Sequence, residues 1–447
     1  MPLRIAIIGA GPAGLSAAIS LSQVLPSAST DIQIYEQATA LREIGTGINL
    51  QRNTWRMLDS LNVSKDIHPE GIFRSADGHA MQMRNGRTGE LLSSLGQGDT
   101  PPAHLHARAL RSVLQKALLA NVKCKIHLNH RLERVTGNQH QSQETQSKTL
   151  TLHFSNSHTT TVDLLIGADG VRSAVRQYAF PEHRLFYTGK TAYRGLIPSE
   201  KLLRISGFPD AVTFWHGPRD WVYTCNLKHG LYELTCMAGV PDNAEGRVSW
   251  GERASREEFM RPWKDFGPMV QEILSHATDI QRFALFAGPL MERIVLGGNV
   301  ALIGDASHPL SGAFGKYPNH KLTISFVLIL RPDGAGAAFA FEDSYVLSRA
   351  VSWALSKGIP LSQGLDLYNR VRTPHYRAMY DILAEFKKSD EEMDKLDLSF
   401  DEGVDHTVRD KWGDGFAWLY GYDVQKVWDE AVREEDEKMA QCATAHL

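Results

Sequence analysis

Three glycines, Gly9, Gly11 and Gly14, stand at the spacing G-x-G-x-x-G within Leu3-Arg-Ile-Ala-Ile-Ile-Gly-Ala-Gly-Pro-Ala-Gly14. That spacing suits a pyrophosphate. The first glycine allows a tight turn, the second lets backbone approach the phosphates, and the third brings a helix close to a strand. Pro12 fits the first turn of that helix, where its missing N–H had no partner to lose, and the helix N-terminus favours an anion. Glu36 lies 22 residues beyond Gly14, at the end of Asp31-Ile-Gln-Ile-Tyr-Glu36. A carboxylate there is placed to accept hydrogen bonds from ribose hydroxyls. Together these residues predict a dinucleotide site.

The elements that must hold this site follow from hydrophobic spacing. The β-branched run before Gly9 reads as a buried parallel strand, and Leu15, Ala18, Ile19 and Ser22 continue it as a helix. Gly45, Gly47 and Asn49 suggest a bent loop, and Trp55, Leu58 and Leu61 give Asn53 to Leu61 helical spacing. Residues 62–103 carry turn signals at Asp77-Gly78, Asn85-Gly86 and Pro101-Pro102, which predicts short strands. The stretch HARALRSVLQKALLA reads as one helix with Leu110, Leu114 and Leu118 on a face. Strands are expected at 123–128 and 131–135, then a solvated polar hairpin loop at 138–148, then strands at 149–154 and 160–166. Residues 162–176 repeat the strand-glycine-helix pattern. From 187 to 290 the chain alternates aromatic and polar residues, as in Ala192–Leu196, Ala211–Trp215, Trp221–Leu227 and Leu231–Met237. This predicts an antiparallel sheet in a second lobe, interrupted by an amphipathic helix over 257–276. Asn299–Pro309 returns to the first lobe, and the chain from Phe339 is mostly helical and charged.

Bulk properties narrow the function classes. A net charge of −3 over 447 residues argues against nucleic acid or an anionic membrane surface as partner. No apolar run approaches the roughly 18 to 20 residues that cross a bilayer, so a soluble protein is expected. Cys124, Cys225, Cys236 and Cys442 lack metal-ligand spacing and read as reduced thiols of the cytoplasm. The last residues, Ala445-His446-Leu447, loosely resemble a peroxisomal address, which keeps that compartment as the alternative. The 18 histidines form no coherent ligand set, so no metal is expected. Nucleophile elbows and hydrolase carboxylate pairs are likewise missing.

Two further motifs stand beside the first: Gly167-Ala-Asp-Gly-Val-Arg-Ser-Ala-Val-Arg176 and Gly304-Asp-Ala-Ser-His-Pro309. As a trio they resemble the flavin-dependent aromatic hydroxylases, in particular the salicylate-hydroxylase-like FAD monooxygenases of fungi. The resemblance runs from residue 3 to about 430 and includes the tail WLYGYDVQKVW. It implies an α/β fold with a Rossmann-like FAD-binding lobe of discontinuous segments, 1–186 and 291–380. A β-rich, antiparallel substrate lobe over 187–290 and a helical C-terminal region over 381–447 complete it.

The resemblance also implies roles. FAD would be held by Gly9, Gly11, Gly14 and Glu36, with Asp305 on the ribityl chain, and Asp169-Gly170 would serve both FAD and the nicotinamide donor. The family places an arginine beside the flavin near the start of the helix after residue 104, and Arg108 and Arg111 both qualify. Arg42 matches an arginine near the cofactor phosphates. His308 reads as a packing residue. In the substrate lobe, Arg194 in Thr191-Ala-Tyr-Arg-Gly195 and Tyr223 in Trp221-Val-Tyr-Thr-Cys225 would hold a phenolate, whose charge a guanidinium can compensate. Period-two alternation puts Tyr193 and Arg194 on opposite faces, so one of them turns away from the pocket. NADH or NADPH would reduce the flavin, O₂ would form a C4a-hydroperoxide, and a small phenolic or aromatic substrate would be hydroxylated. Two alternatives stay open: a flavoprotein reductase or dehydrogenase on the same scaffold, and a non-catalytic FAD-binding or defective, non-functional chain.

The second alternative comes from Lys316–Gly334, KYPNHKLTISFVLILRPDG, which interrupts a family-like run. Without it, SGAFG joins AGAAFAFED, the small-residue helix start that such a cofactor packs on. The codons permitted by Gly315-Lys-Tyr317 include a splice-donor-like GTAAGT, and Leu322-Thr323 permits a branch-site-like CTAAC. The segment is therefore read as translated intron, with an ordinary surface insertion as the competing reading.

Overall fold

The computed structural model describes residues 1–41, 47–137, 149–240, 251–310, 335–411 and 421–445. Arg42, the polar loop at 138–148 and the segment 316–334 lie outside the described residues.

Six strands form the sheet of the first lobe, in the order Val295–Leu296, Val300–Leu302, Leu164–Gly167, Leu3–Ile8, Thr30–Tyr35, Lys125–His127. All neighbours are parallel except the edge strand Val295–Leu296. Ile5 pairs with Leu164 and Leu165 with Val300, so segments far apart in sequence become neighbours. The C-terminal ends of these adjacent strands carry Glu36, Gly9, Asp169 and Gly304 side by side. In open parallel sheets that edge is where ligands bind.

The expected strand over 160–166 is two strands, Thr159–Val162 and Leu164–Gly167. Asp163 separates them because its carboxylate accepts from the Arg4 backbone N–H and guanidinium, at 2.9 and 2.7 Å. The first piece completes a three-stranded antiparallel unit with Leu132–Gly137 and Leu150–Phe154, and the second enters the parallel sheet.

The second lobe is an eight-stranded sheet, ordered Glu252–Arg253, Gln281–Ala287, Phe186–Pro198, Leu231–Gly239, Trp221–Asn226, Thr213–His216, Met81–Asn85, Leu91–Leu95. Its last two strands come from within residues 1–186, so that stretch feeds both lobes. One face packs Tyr193, Trp215, Val222, Tyr232 and Cys236 against Phe259, Trp263 and Ile273. The other face carries Ala192, Phe214, Tyr223, Cys225 and Met237. The helix expected over 257–276 is two, Arg256–Met260 and Pro268–Ser275, joined by a 3₁₀ turn. Pro262 and Pro268 supply no N–H to the helical ladder, which favours a break here, and Pro268 stands in the first turn of the second helix, where no partner is lost.

HARALRSVLQKALLA also divides. Ala107–Leu110 is the central strand of a small sheet with Gly47–Leu50 and Ile72–Phe73, and the helix begins at Arg111. The described residues of the C-terminal region form the helices Ala335–Lys357, Leu361–Met393, Phe400–Lys411 and Val424–Ala445. Residue 380, where the first lobe was expected to end, lies inside the second of these helices.

Candidate active site

The glycine loop has the geometry that its spacing predicts for a pyrophosphate cradle. Gly9 has φ +105°, and a Cβ there would strike the Ala168 carbonyl. A Cβ on Gly14 would strike the Gly9 carbonyl, whereas one on Gly11 would meet open space. The helix Pro12–Val24 starts from Gly11 without a side-chain cap, which leaves its first N–H groups for an anion. Glu36 braces the loop, because its carboxylate accepts from Ala10 N and Ala38 N, each at 2.8 Å.

The second and third motifs interlock beside it. Asp169 Oδ2 accepts from Ala174 N at 2.7 Å and Val175 N at 3.2 Å, opening the helix Ala174–Ala179. Its Oδ1 is buried with no protein partner among the described residues, and burial raises the carboxyl pKa against those hydrogen bonds. Gly170 follows with φ +77° and open space where a Cβ would stand. Arg176, almost wholly buried, donates from Nη1 to the carbonyls of Asp305 and Ala306 at 3.1 and 3.0 Å. Asp305 itself is exposed. The orphaned Asp169 oxygen, the bare Gly11 and Gly170 positions and the outward Asp305 fit an extended dinucleotide such as FAD along this edge.

The second lobe's sheet puts Arg194 and Tyr223 on one face, both in register with Thr235, with Arg108 of the small sheet against Tyr223, and sends Tyr193 into the opposite core. Arg108 is 2% exposed and ion-paired with Glu233, which is 5% exposed. Gly47 lies against this pair, where any Cβ would strike both charged groups. The Arg108 guanidinium is 5.3 Å from the centroid of the Tyr223 ring. Burial works against the charge on Arg108, and Glu233 more than restores it. The Tyr223 hydroxyl is buried with no oxygen or nitrogen partner among the described residues, and burial raises its pKa despite Arg108. Cys225, on the same face, is pushed up to about 12 by burial. Arg194 Nε is also buried and without a hydrogen-bond partner among the described residues, with the guanidinium 5.6 Å from the Phe283 ring. Burial lowers its pKa, Glu233 opposes this, and Arg111 and Arg108 add to the lowering. Arg111 occupies the first position of its helix.

Sequence reasoning missed Glu233 and the acids Glu342 and Asp343. Glu233 sits in an alternating strand at a position that faces Cys225 across the sheet, and an acid on an inward position of an apolar strand was the available signal. His308 is fully buried, with its ring 4.8 Å from that of Tyr376 and its Nε2 3.2 Å from Asp343. Among the described residues there is no cluster of histidines, cysteines or acids suited to a metal ion. None of their helices is long and apolar enough to cross a membrane.

Comparison with known proteins agrees with this geometry. The FAD binding domain family matches residues 3–188. The 6-methylsalicylate 1-monooxygenase atA of Aspergillus terreus is 28% identical, over 96% of this chain and 92% of its own length. The FAD-dependent monooxygenase pigN of Monascus ruber is 30% identical, over 77% of this chain and 76% of its own. A salicylate hydroxylase substrate complex superposes with a TM-score of 0.72 at 20% identity, covering 96% of this chain and 98% of that one, which shows a shared fold. On the likeness to pigN, supported by the FAD binding domain match over residues 3–188, the chain belongs to the FAD-dependent monooxygenases.

Proposed function

We propose that this enzyme hydroxylates a small phenolic substrate, with NADH or NADPH as reductant and O₂ as oxidant. The observation that carries the reading is a pair of buried polar groups, Arg194 Nε and Tyr223 Oη, with no oxygen or nitrogen partner among the described residues. They share one face of a sheet that also carries the apolar and aromatic Phe214, Trp221 and Met237 beside Thr235 and the ion-paired Glu233. A flat ring with one charged oxygen fits such a face, and buried polar groups reward a ligand that satisfies them. The Aspergillus relative is named for a methylated salicylate, a ring of this chemistry.

Gly9, Gly11, Gly14 and Glu36 would hold the adenosine and pyrophosphate half of FAD, Asp305 the ribityl chain, and Arg111 the flavin end. Asp169-Gly170 would serve FAD and the nicotinamide donor. Bound FAD supplies the oxygen-activating chemistry. Arg194 would compensate the phenolate charge, and Tyr223 would orient the ring through its hydroxyl. Arg108, held by Glu233, lends a fixed positive charge to the wall behind Tyr223. The apolar face keeps out water that would divert the activated oxygen. The four free cysteines support the cytoplasm as the location, with the peroxisome as the alternative.

Phenolic acids are to be screened for stimulation of NADH and NADPH oxidation under isotopically labelled O₂. One labelled oxygen in the product is expected. Cofactor oxidation with no label in any product would favour the reductase reading of the scaffold.

A further inference from the structure

Behind the Gly304–Asp305 turn lies a second ionic cluster that the reading above does not use. Arg372 pairs with Asp343 at 2.7 Å and with Glu342 at 3.0 Å, and all three side chains are fully buried. Asp343 Oδ2 accepts the Gly304 backbone N–H at 2.8 Å. The Tyr376 hydroxyl donates to Asp343 Oδ1 at 2.5 Å and lies 3.1 Å from Ser307 Oγ. Every side of this carboxylate is engaged.

The neighbours explain what the turn needs. Gly304 has φ +57°, and a Cβ on it would stand 3.0 Å from Ala13 and 3.4 Å from Ala340. It is therefore wedged between the glycine-loop helix and the helix Ala335–Lys357. The residue after Asp343 is Ser344, whose hydroxyl lies 2.8 Å from Ser16 Oγ of the glycine-loop helix and within reach of the carbonyls of Ala340 and Ala13, at 2.8 and 3.2 Å. Two consecutive residues of one helix thus hold the third motif and the first. A buried ion cluster is a poor source of stability, since desolvation consumes most of its attraction. What it supplies here is a fixed direction for one backbone N–H.

We propose that Asp343 is a positioning residue for FAD. By taking the Gly304 N–H it sets the turn so that Asp305 faces outward toward the ribityl chain. The inference rests on the reading that Asp305 meets FAD. Arg176 donates to the carbonyls of Asp305 and Ala306 and the Gly304 carbonyl accepts from Ser307 and His308, while Asp343 is the acceptor that fixes the Gly304 N–H at the start of the turn.

The test is a double-mutant cycle on the full chain, read as the Kd for FAD from quenching of FAD fluorescence by apoprotein. Asp343→Asn and Tyr376→Phe are each combined with Asp305→Ala. Tyr376→Phe leaves every buried charge in place, so it carries the cycle if Asp343→Asn does not fold. Each single variant is expected to weaken FAD about five- to tenfold, the scale of one buried hydrogen bond. Combined with Asp305→Ala, neither should weaken it further, because the positioned group is already gone. Losses that add in full, or single variants with the wild-type Kd, overturn the role of Asp343. A wild-type Kd for Asp305→Ala alone overturns the reading of Asp305 and the inference with it.

Discussion

Arg108, on a strand of the small sheet beside the nucleotide-binding lobe, is ion-paired with Glu233 in the middle of the second lobe's sheet. The pair joins two parts of the chain 125 residues apart and underlies the face that carries Tyr223. Removing one partner leaves an uncompensated buried charge, which costs about 3 to 5 kcal/mol. Glu233→Ala is expected to lose that much stability in urea unfolding. Glu233→Ala with Arg108→Met should regain most of it, and a double variant as unstable as the single one would contradict the pairing.

Arg194→Ala should retain FAD and lose product. A charge-assisted hydrogen bond of about 1.5 to 3 kcal/mol corresponds to roughly ten- to a hundredfold in rate. The NADH or NADPH still consumed should appear as hydrogen peroxide. Normal product yield would take Arg194 out of the substrate site.

Burial alone would raise the Asp343 carboxyl, but Arg372, His308 and Tyr376 hold it at about 2, below the ordinary 3.8. A carboxyl depressed in the folded state adds stability above its unfolded pKa and loses it as the pH falls through the folded value. Wild-type stability should therefore drop between about pH 4 and pH 2. Asp343→Asn should show a shallower drop across that window, as measured by thermal midpoints. An identical slope would show that another carboxylate dominates acid unfolding.

Residues 316–334 supply the fourth prediction. The helix Ala335–Lys357 starts beside Asp305, since a Cβ on Gly336 would stand 3.7 Å from Asp305 Oδ1. A chain lacking 316–334 is expected to bind FAD more tightly and turn over faster. Sequencing the mature transcript and assaying both forms decides the matter. A message that retains these codons, with full activity in the longer protein, would end the intron reading.

Local sequence determined the pieces. Gly9, Gly11, Gly14 and Glu36 announce their loop because the φ of Gly9, the approach of Gly14 to the Gly9 carbonyl and a terminal carboxylate are local demands, satisfied within one βαβ unit. The alternation around Tyr193 and Arg194 shows that they face apart, because strand period is local too. Tertiary structure alone decided the rest. It brought Gly304 and Asp169 beside Gly9 by parallel pairing across distant segments, and it chose Arg194 over Tyr193 for the face bearing Tyr223. It also gave Arg108 a carboxylate partner and Gly304 N an acceptor in Asp343. A buried charge selects its partner by proximity after folding, and nothing in the spacing of Arg108 and Glu233, or of Gly304 and Asp343, encodes that distance.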